Sequence, residues 1–157
     1  MSTTIQVPKE FGYVGAALIS TVWLILGQGF IVGRYRKRAK IEYPQMYAEL
    51  AQVEKSRDAL LFNCAQRAHQ NTLESIPVIW ASTAIVGTQM PVLAASVCGI
   101  WTISRISYTL GYLTGNPRKR VNPIYGVGLL GSLGLTATAT AYGARWVWEG
   151  ISAKLGF

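Results

Sequence analysis

Phe11-Gly12-Tyr13-Val14-Gly15-Ala16-Ala17-Leu18-Ile19-Ser20-Thr21-Val22-Trp23-Leu24-Ile25-Leu26-Gly27-Gln28-Gly29-Phe30-Ile31-Val32 contains no side chain that is charged at neutral pH. At ~1.5 Å per residue, a helix of this length reaches about 33 Å, enough for a hydrocarbon core of roughly 30 Å. A cleaved secretory signal has a shorter apolar core, a basic start and a small-residue cleavage site. Here Lys9 is balanced by Glu10, and no good cleavage site precedes the charges that follow. The block reads as a retained membrane helix.

After Val32 the pattern repeats. A basic run (Arg34, Arg36, Lys37, Arg38, Lys40) leads into a polar stretch with Pro44 as a breaker and room for a short surface helix. Helical patterning resumes near Phe62, becomes wholly apolar over Ile76 to Val86, and stops at Gly87-Thr88-Gln89-Met90-Pro91. A third helix ends at Gly115-Asn116-Pro117-Arg118-Lys119-Arg120-Val121-Asn122-Pro123, and a fourth follows. The expectation is an all-α integral membrane four-helix bundle, one transmembrane domain over 1–157. Its helices lie at about 11–33, 62–87, 92–114 and 124–148, with cytosolic loops at 34–61 and 115–123.

Composition agrees with that class. Half of the 157 residues are hydrophobic and only 14% are charged, against about a quarter in a soluble domain. Arg34 to Arg67 holds eight Lys or Arg and the third loop three more, whereas the other side holds Lys9, Arg145 and Lys154. The positive-inside rule puts both basic loops in the cytosol. Topology and anionic headgroups therefore account for the net charge of +8. No recognition helix or zinc spacing supports a nucleic-acid partner. Cys64 and Cys98 each sit in an apolar stretch and read as small buried side chains. Small residues recur every fourth position at Gly128, Ser132, Thr136, Thr140 and at Gly12, Ala16, Ser20. Such stripes serve close helix packing, within one chain or between subunits.

Polar side chains are costly within a bilayer, so their placement carries information. Arg67, Asn71 and Glu74 are spaced i, i+4, i+7 on one helical face. Arg105, Tyr108 and Tyr112 form a second stripe at i, i+3, i+7. Arg67 and Glu74 alone would read as a pair neutralising each other. Asn71 and two tyrosines add more polar groups than neutralisation needs, which favours a ligand site near the cytosolic surface. His69 points off the Arg67 face and reads as a structural hydrogen-bonder. No second His or Cys stands at metal-ligand spacing, so no metal is expected.

The run Phe62 to Glu74 resembles the signature of the membrane-associated proteins in eicosanoid and glutathione metabolism, nearest to the type 3 microsomal glutathione S-transferases. Lys40-Ile41-Glu42-Tyr43-Pro44, Tyr108 to Thr114 and Gly115 to Arg120 are similar as well, so the likeness covers nearly the whole chain. It implies a homotrimer with a glutathione site at each subunit boundary. Arg67, Asn71 and Glu74 would bind glutathione, Tyr108 and Tyr112 would line the pocket, and Arg36, beside Lys37, would reach the tripeptide carboxylates. His69 departs from the family residue two after the second-helix Arg, and Ser75 replaces the Tyr of the leukotriene-C synthases. The family's catalytic Arg falls on Lys119 without a gap and on Arg120 with a one-residue shift. Arg120 is the choice because a permanently charged guanidinium suits a thiolate, with Arg118 and Lys119 open.

The implied activity is glutathione transfer to lipophilic electrophiles and glutathione-dependent reduction of lipid hydroperoxides, with leukotriene-C synthesis among the conjugations. Glutathione is then a co-substrate, membrane lipids surround the protein, and the endoplasmic reticulum is the expected membrane, with the outer mitochondrial membrane as alternative. A non-catalytic lipid-binding activator of the same fold would not need the full Arg67, Asn71, Glu74 set. A purely structural membrane subunit would need none of it.

Overall fold

The computed structural model describes residues 8–155. Residues 1–7 and 156–157, included in the expected 1–157 unit, lie outside the described residues. The order is α1 Phe11–Ala39, α2 Leu50–Lys55, α3 Arg57–Gly87, α4 Pro91–Leu113, a 3-10 turn Pro117–Arg120, and α5 Pro123–Leu155. Among the described residues there is no strand.

Three helices run past their sequence-expected ends. α1 continues to Ala39 because the Arg34 to Arg38 run consists largely of good helix formers, and its cations complement the C-terminal dipole. It closes at Lys40, in the left-handed region at φ 54°, where the Ile41 N–H reaches the Arg36 carbonyl at 3.2 Å. α3 begins at Arg57 because the Ser56 hydroxyl accepts from the Ala59 N–H at 3.3 Å, with Asp58 in the first turn. α5 reaches Leu155 and carries an Arg145–Glu149 pair at 2.6 Å, spaced i, i+4.

α3 and α4 pack against each other and against both remaining long helices, with α1 and α5 flanking them. The main core joins Val14, Ile76, Ile79, Val86, Cys98, Trp101 and Leu135. α1 and α5 are long and apolar enough to cross a membrane, yet only 17% of the most apolar window of each is buried within the chain. A core helix of a water-soluble domain would be mostly buried. These two instead turn apolar faces outward, including Trp23, Phe30 and Leu130. α3 and α4 carry the polar stripes; the central position buries Arg105, Tyr108 and Tyr112 of α4, whereas Arg67 and Glu74 of α3 stay exposed.

Close approaches show which ends meet. At Gly87 a Cβ would come within 2.9 Å of the Val14 side chain, so the far end of α3 lies against the start of α1. At the opposite end, a Cβ on Gly115 would lie 3.6 Å from Leu61. The two basic loops therefore share one end of the molecule. Gly128 belongs to packing within the chain, since a Cβ there would fall 2.1 Å from the Ser104 hydroxyl. Thr136 meets the Ser82 hydroxyl at 3.1 Å. Gly12 and Ala16 are exposed.

Candidate functional site

The basic end is built by three devices. The 40–56 loop is clamped to α3 by Asn63, whose Oδ1 accepts from the Ala48 N–H at 2.7 Å and whose Nδ2 donates to the Ala48 carbonyl at 2.9 Å. The third loop is docked on α4 at Gly111, where a Cβ would lie 2.3 Å from the Lys119 carbonyl; only glycine permits that approach. Asn122 ties α5 to α4, its Oδ1 accepting from the Tyr125 N–H at 3.0 Å and the Ser107 hydroxyl at 3.1 Å.

On α3, Arg67 Nη1 meets Glu74 Oε1 at 3.1 Å, and Asn71 Nδ2 donates to Glu74 Oε2 at 3.3 Å. The i, i+4, i+7 spacing thus becomes one chain of contacts. The pair's side chains are 48% and 56% exposed, so it does not serve to neutralise a buried charge. The charge buried behind this pair is Arg105 of α4, only 5% exposed. Its Nη1 donates to Asn71 Oδ1 at 2.7 Å and its Nη2 to Ser75 Oγ at 2.9 Å. Among the described residues it has no ion pair, and its Nε has no hydrogen-bond partner. Trp101, Tyr108 and Tyr125 surround the guanidinium with ring centres 5.1, 5.3 and 5.7 Å away.

The tyrosines extend from Arg105 as a buried aromatic cluster packed on Cys64 and Ala68 of α3. Tyr108 meets Tyr112 edge to face at 5.2 Å, and its other side meets Tyr125 at 4.9 Å. The Arg120 guanidinium lies 5.6 Å from the Tyr112 ring centre, its Nη1 donating to the Pro117 carbonyl at 2.7 Å. Tyr47, from the loop, donates to Gln70 Oε1 and lies beside Arg67. Burial pushes its phenol above the ordinary value, although Arg67 works in the opposite direction.

Arg67, Asn71, Glu74, Tyr108, Tyr112 and Arg120 are therefore brought to one flank of the basic end. Arg36 is not among them. It is 8% exposed, donates to the Gln45 carbonyl at 2.6 Å and the Ile41 carbonyl at 3.4 Å, and stacks between Tyr43 and Phe62 at 4.3 and 4.6 Å. Within one chain it fastens the loop. His69 turns to α1, its Nδ1 3.4 Å from Gln28 Oε1. An apolar groove of about 500 Å³ runs between α1 and α4 past Trp23, Ile31, Ile106 and Leu110, and none of the polar network lines it.

The sequence model of the MAPEG family matches residues 13–141, which takes in every side chain just described. The chain belongs to the MAPEG family. MAPEG proteins are membrane-associated, in keeping with the two outward-facing apolar helices. The family includes glutathione transferases and peroxidases and also non-catalytic members, so membership limits the activity without choosing it. Sequence reading named Arg105 in a stripe but gave it no role, and treated Ser75 only as a missing aromatic. In this MAPEG chain the two are hydrogen-bonded partners beneath Asn71. Tyr125 carried no local signal: it sits just after Pro123, and only the packing of α5 on α4 brings it to Tyr108.

Proposed function

We propose that this protein is a membrane-bound glutathione transferase and peroxidase, nearest in kind to the type 3 microsomal glutathione S-transferases. The observation that carries this reading is the joined set Arg67, Glu74 and Asn71, backed by Arg105 and flanked by Tyr112 and Arg120. Arg67 and the free Asn71 N–H suit a carboxylate, and Glu74 suits an ammonium. Together they suit the zwitterionic glutamyl end of glutathione. Arg120 would stand at the sulfur.

A free thiol with pKa about 8.5 is only a few per cent thiolate at pH 7. Lowering it by about two units takes about 2.7 kcal/mol of preference for the anion. One charged hydrogen bond supplies about 1.5–3 kcal/mol, so a single guanidinium suffices. The thiolate attacks an apolar electrophile delivered from the bilayer to give a thioether. With a lipid hydroperoxide it attacks the terminal oxygen, the O–O bond breaks, and the alkoxide leaves and is protonated to the alcohol. A second glutathione converts the resulting sulfenic acid to the disulfide and water.

The working unit in this reading is a homotrimer of four-crossing subunits, with both basic loops cytosolic, in the endoplasmic reticulum. A half-exposed Arg67–Glu74 pair on a largely apolar molecule is what a subunit boundary would cover. At that boundary a neighbour's Lys37, exposed beside the buried Arg36, would meet the glycyl carboxylate. A non-catalytic lipid-binding role is the second reading, favoured by the 500 Å³ apolar groove.

The test is thiolate difference absorbance near 240 nm on adding glutathione to protein in detergent at pH 7. A saturable rise that disappears in Arg120→Ala supports the transferase reading. No rise in the wild type removes it and leaves the lipid-binding one.

A further inference from the structure

We propose that Arg105 is the positioning residue of this site. From beneath, it fixes which way the Asn71 amide faces, and so makes the exposed side of Asn71 a hydrogen-bond donor. Donor and acceptor chemistry alone decides the orientation. A guanidinium only donates, so the Asn71 atom 2.7 Å from Arg105 Nη1 must be Oδ1. A carboxylate only accepts, so the atom facing Glu74 Oε2 must be Nδ2. Two neighbours of opposite character thus lock one orientation. The amide has a second N–H beyond the one given to Glu74, and that donor is left for a ligand.

Arg105 is built for this role and not for a surface one. It is 95% buried by the complement of its 5% exposure, stacked among three aromatic rings, and without an ion pair among the described residues. A buried guanidinium with no carboxylate is costly and needs its hydrogen bonds. Ser75 holds the second arm of the fork, accepting from Nη2 at 2.9 Å while its own hydroxyl donates to the Asn71 main-chain carbonyl, one turn back on α3, at 2.9 Å. Arg105, Ser75 and Asn71 therefore form a closed unit spanning α4 and α3. A ligand group next to Asn71 meets a donor, which favours carboxylate over carboxamide. That last step rests on the glutathione reading; the amide orientation does not.

Two measurements separate the claims. The first needs no ligand: the side-chain NH2 resonances of Asn71 in full-length, 15N-asparagine-labelled protein in nanodiscs, assigned by their loss in Asn71→Ala. A well-split, slowly exchanging pair is expected, collapsing toward solvent-exposed values in Arg105→Gln. A folded Arg105→Gln with unchanged Asn71 signals overturns the proposal.

The second is a double-mutant cycle on glutathione Kd. Arg105→Gln and Asn71→Ala should each weaken binding about tenfold, and the double variant should lose no more than about twofold beyond Asn71→Ala. Losses that multiply to about a hundredfold mean Arg105 acts other than through Asn71 and overturn the proposal. Should Arg105→Gln not fold, Ser75→Ala takes its place. An approximately threefold loss that vanishes in the Asn71→Ala background supports the unit, and one that persists there overturns it. If the wild type binds no glutathione while the Asn71 resonances still respond to Arg105, the glutathione reading falls and the positioning stands.

Discussion

The Arg120 guanidinium lies over the Tyr112 ring, 5.6 Å from its centre, although the two belong to different elements separated by the Gly115 turn. The contact joins the third loop to the α4 stripe and holds a permanent positive charge beside Tyr112. In the transferase reading, that charge holds the thiolate.

Replacing Arg120 by Ala should return bound glutathione to an ordinary thiol, raising its pKa by about two units toward about 8.5. The sign follows from the anion being the favoured form. Wild-type turnover should be flat across neutral pH, whereas the variant should rise about tenfold per pH unit until near 8.5. The pH profile of kcat at saturating glutathione and electrophile checks this. A Lys119→Ala variant with the same profile would move the role along the loop.

Arg67 and Glu74 are about half exposed within one chain, so their pair contributes little to the stability of the subunit itself. Glu74→Gln should leave the thermal midpoint within about a degree of wild type while weakening glutathione about tenfold or more. Differential scanning fluorimetry and thiolate titration on one preparation decide it. Equal damage to both would mean that the pair is structural.

Gly111→Ala should disable the site without touching it. Its Cβ would fall 2.3 Å from the Lys119 carbonyl, a backbone atom that cannot swing aside, so the 3-10 turn carrying Arg120 must move. The expected cost is about 1–3 kcal/mol of stability, with kcat falling more than KM rises. Gly143→Ala makes the control, since a Cβ there meets nothing within 4 Å.

Arg36→Ala should behave as a loop mutation in the isolated chain. Its guanidinium holds two loop carbonyls and stacks on Tyr43 and Phe62, so its loss should free the 40–56 segment. Limited proteolysis should then cut there several-fold faster, as it should in Asn63→Ala, which removes both bonds to Ala48 at about 1–3 kcal/mol. An unchanged cleavage rate in Arg36→Ala, with weakened glutathione binding, would instead mark Arg36 as a ligand contact.

The amino-acid sequence on its own determined whatever depends on neighbours in the chain. The uncharged block from Phe11 to Val32, the basic runs, and Arg67, Asn71 and Glu74 at i, i+4, i+7 are local facts, because helix periodicity turns spacing into a shared face. Helix ends were less legible, since the Arg34 to Arg38 run is as helical as it is charged. Tertiary structure alone decided what faces what. Arg105 meets Asn71 and Ser75 across an α3–α4 contact, Tyr125 reaches Tyr108 only through α5, and Arg36 is drawn under the loop away from the α3 stripe. A side chain's own helix sets its direction, but the rotation of one helix against the next sets its partner. That rotation comes from packing such as Gly128 on Ser104 and Gly111 on Lys119, spread over residues far apart in sequence.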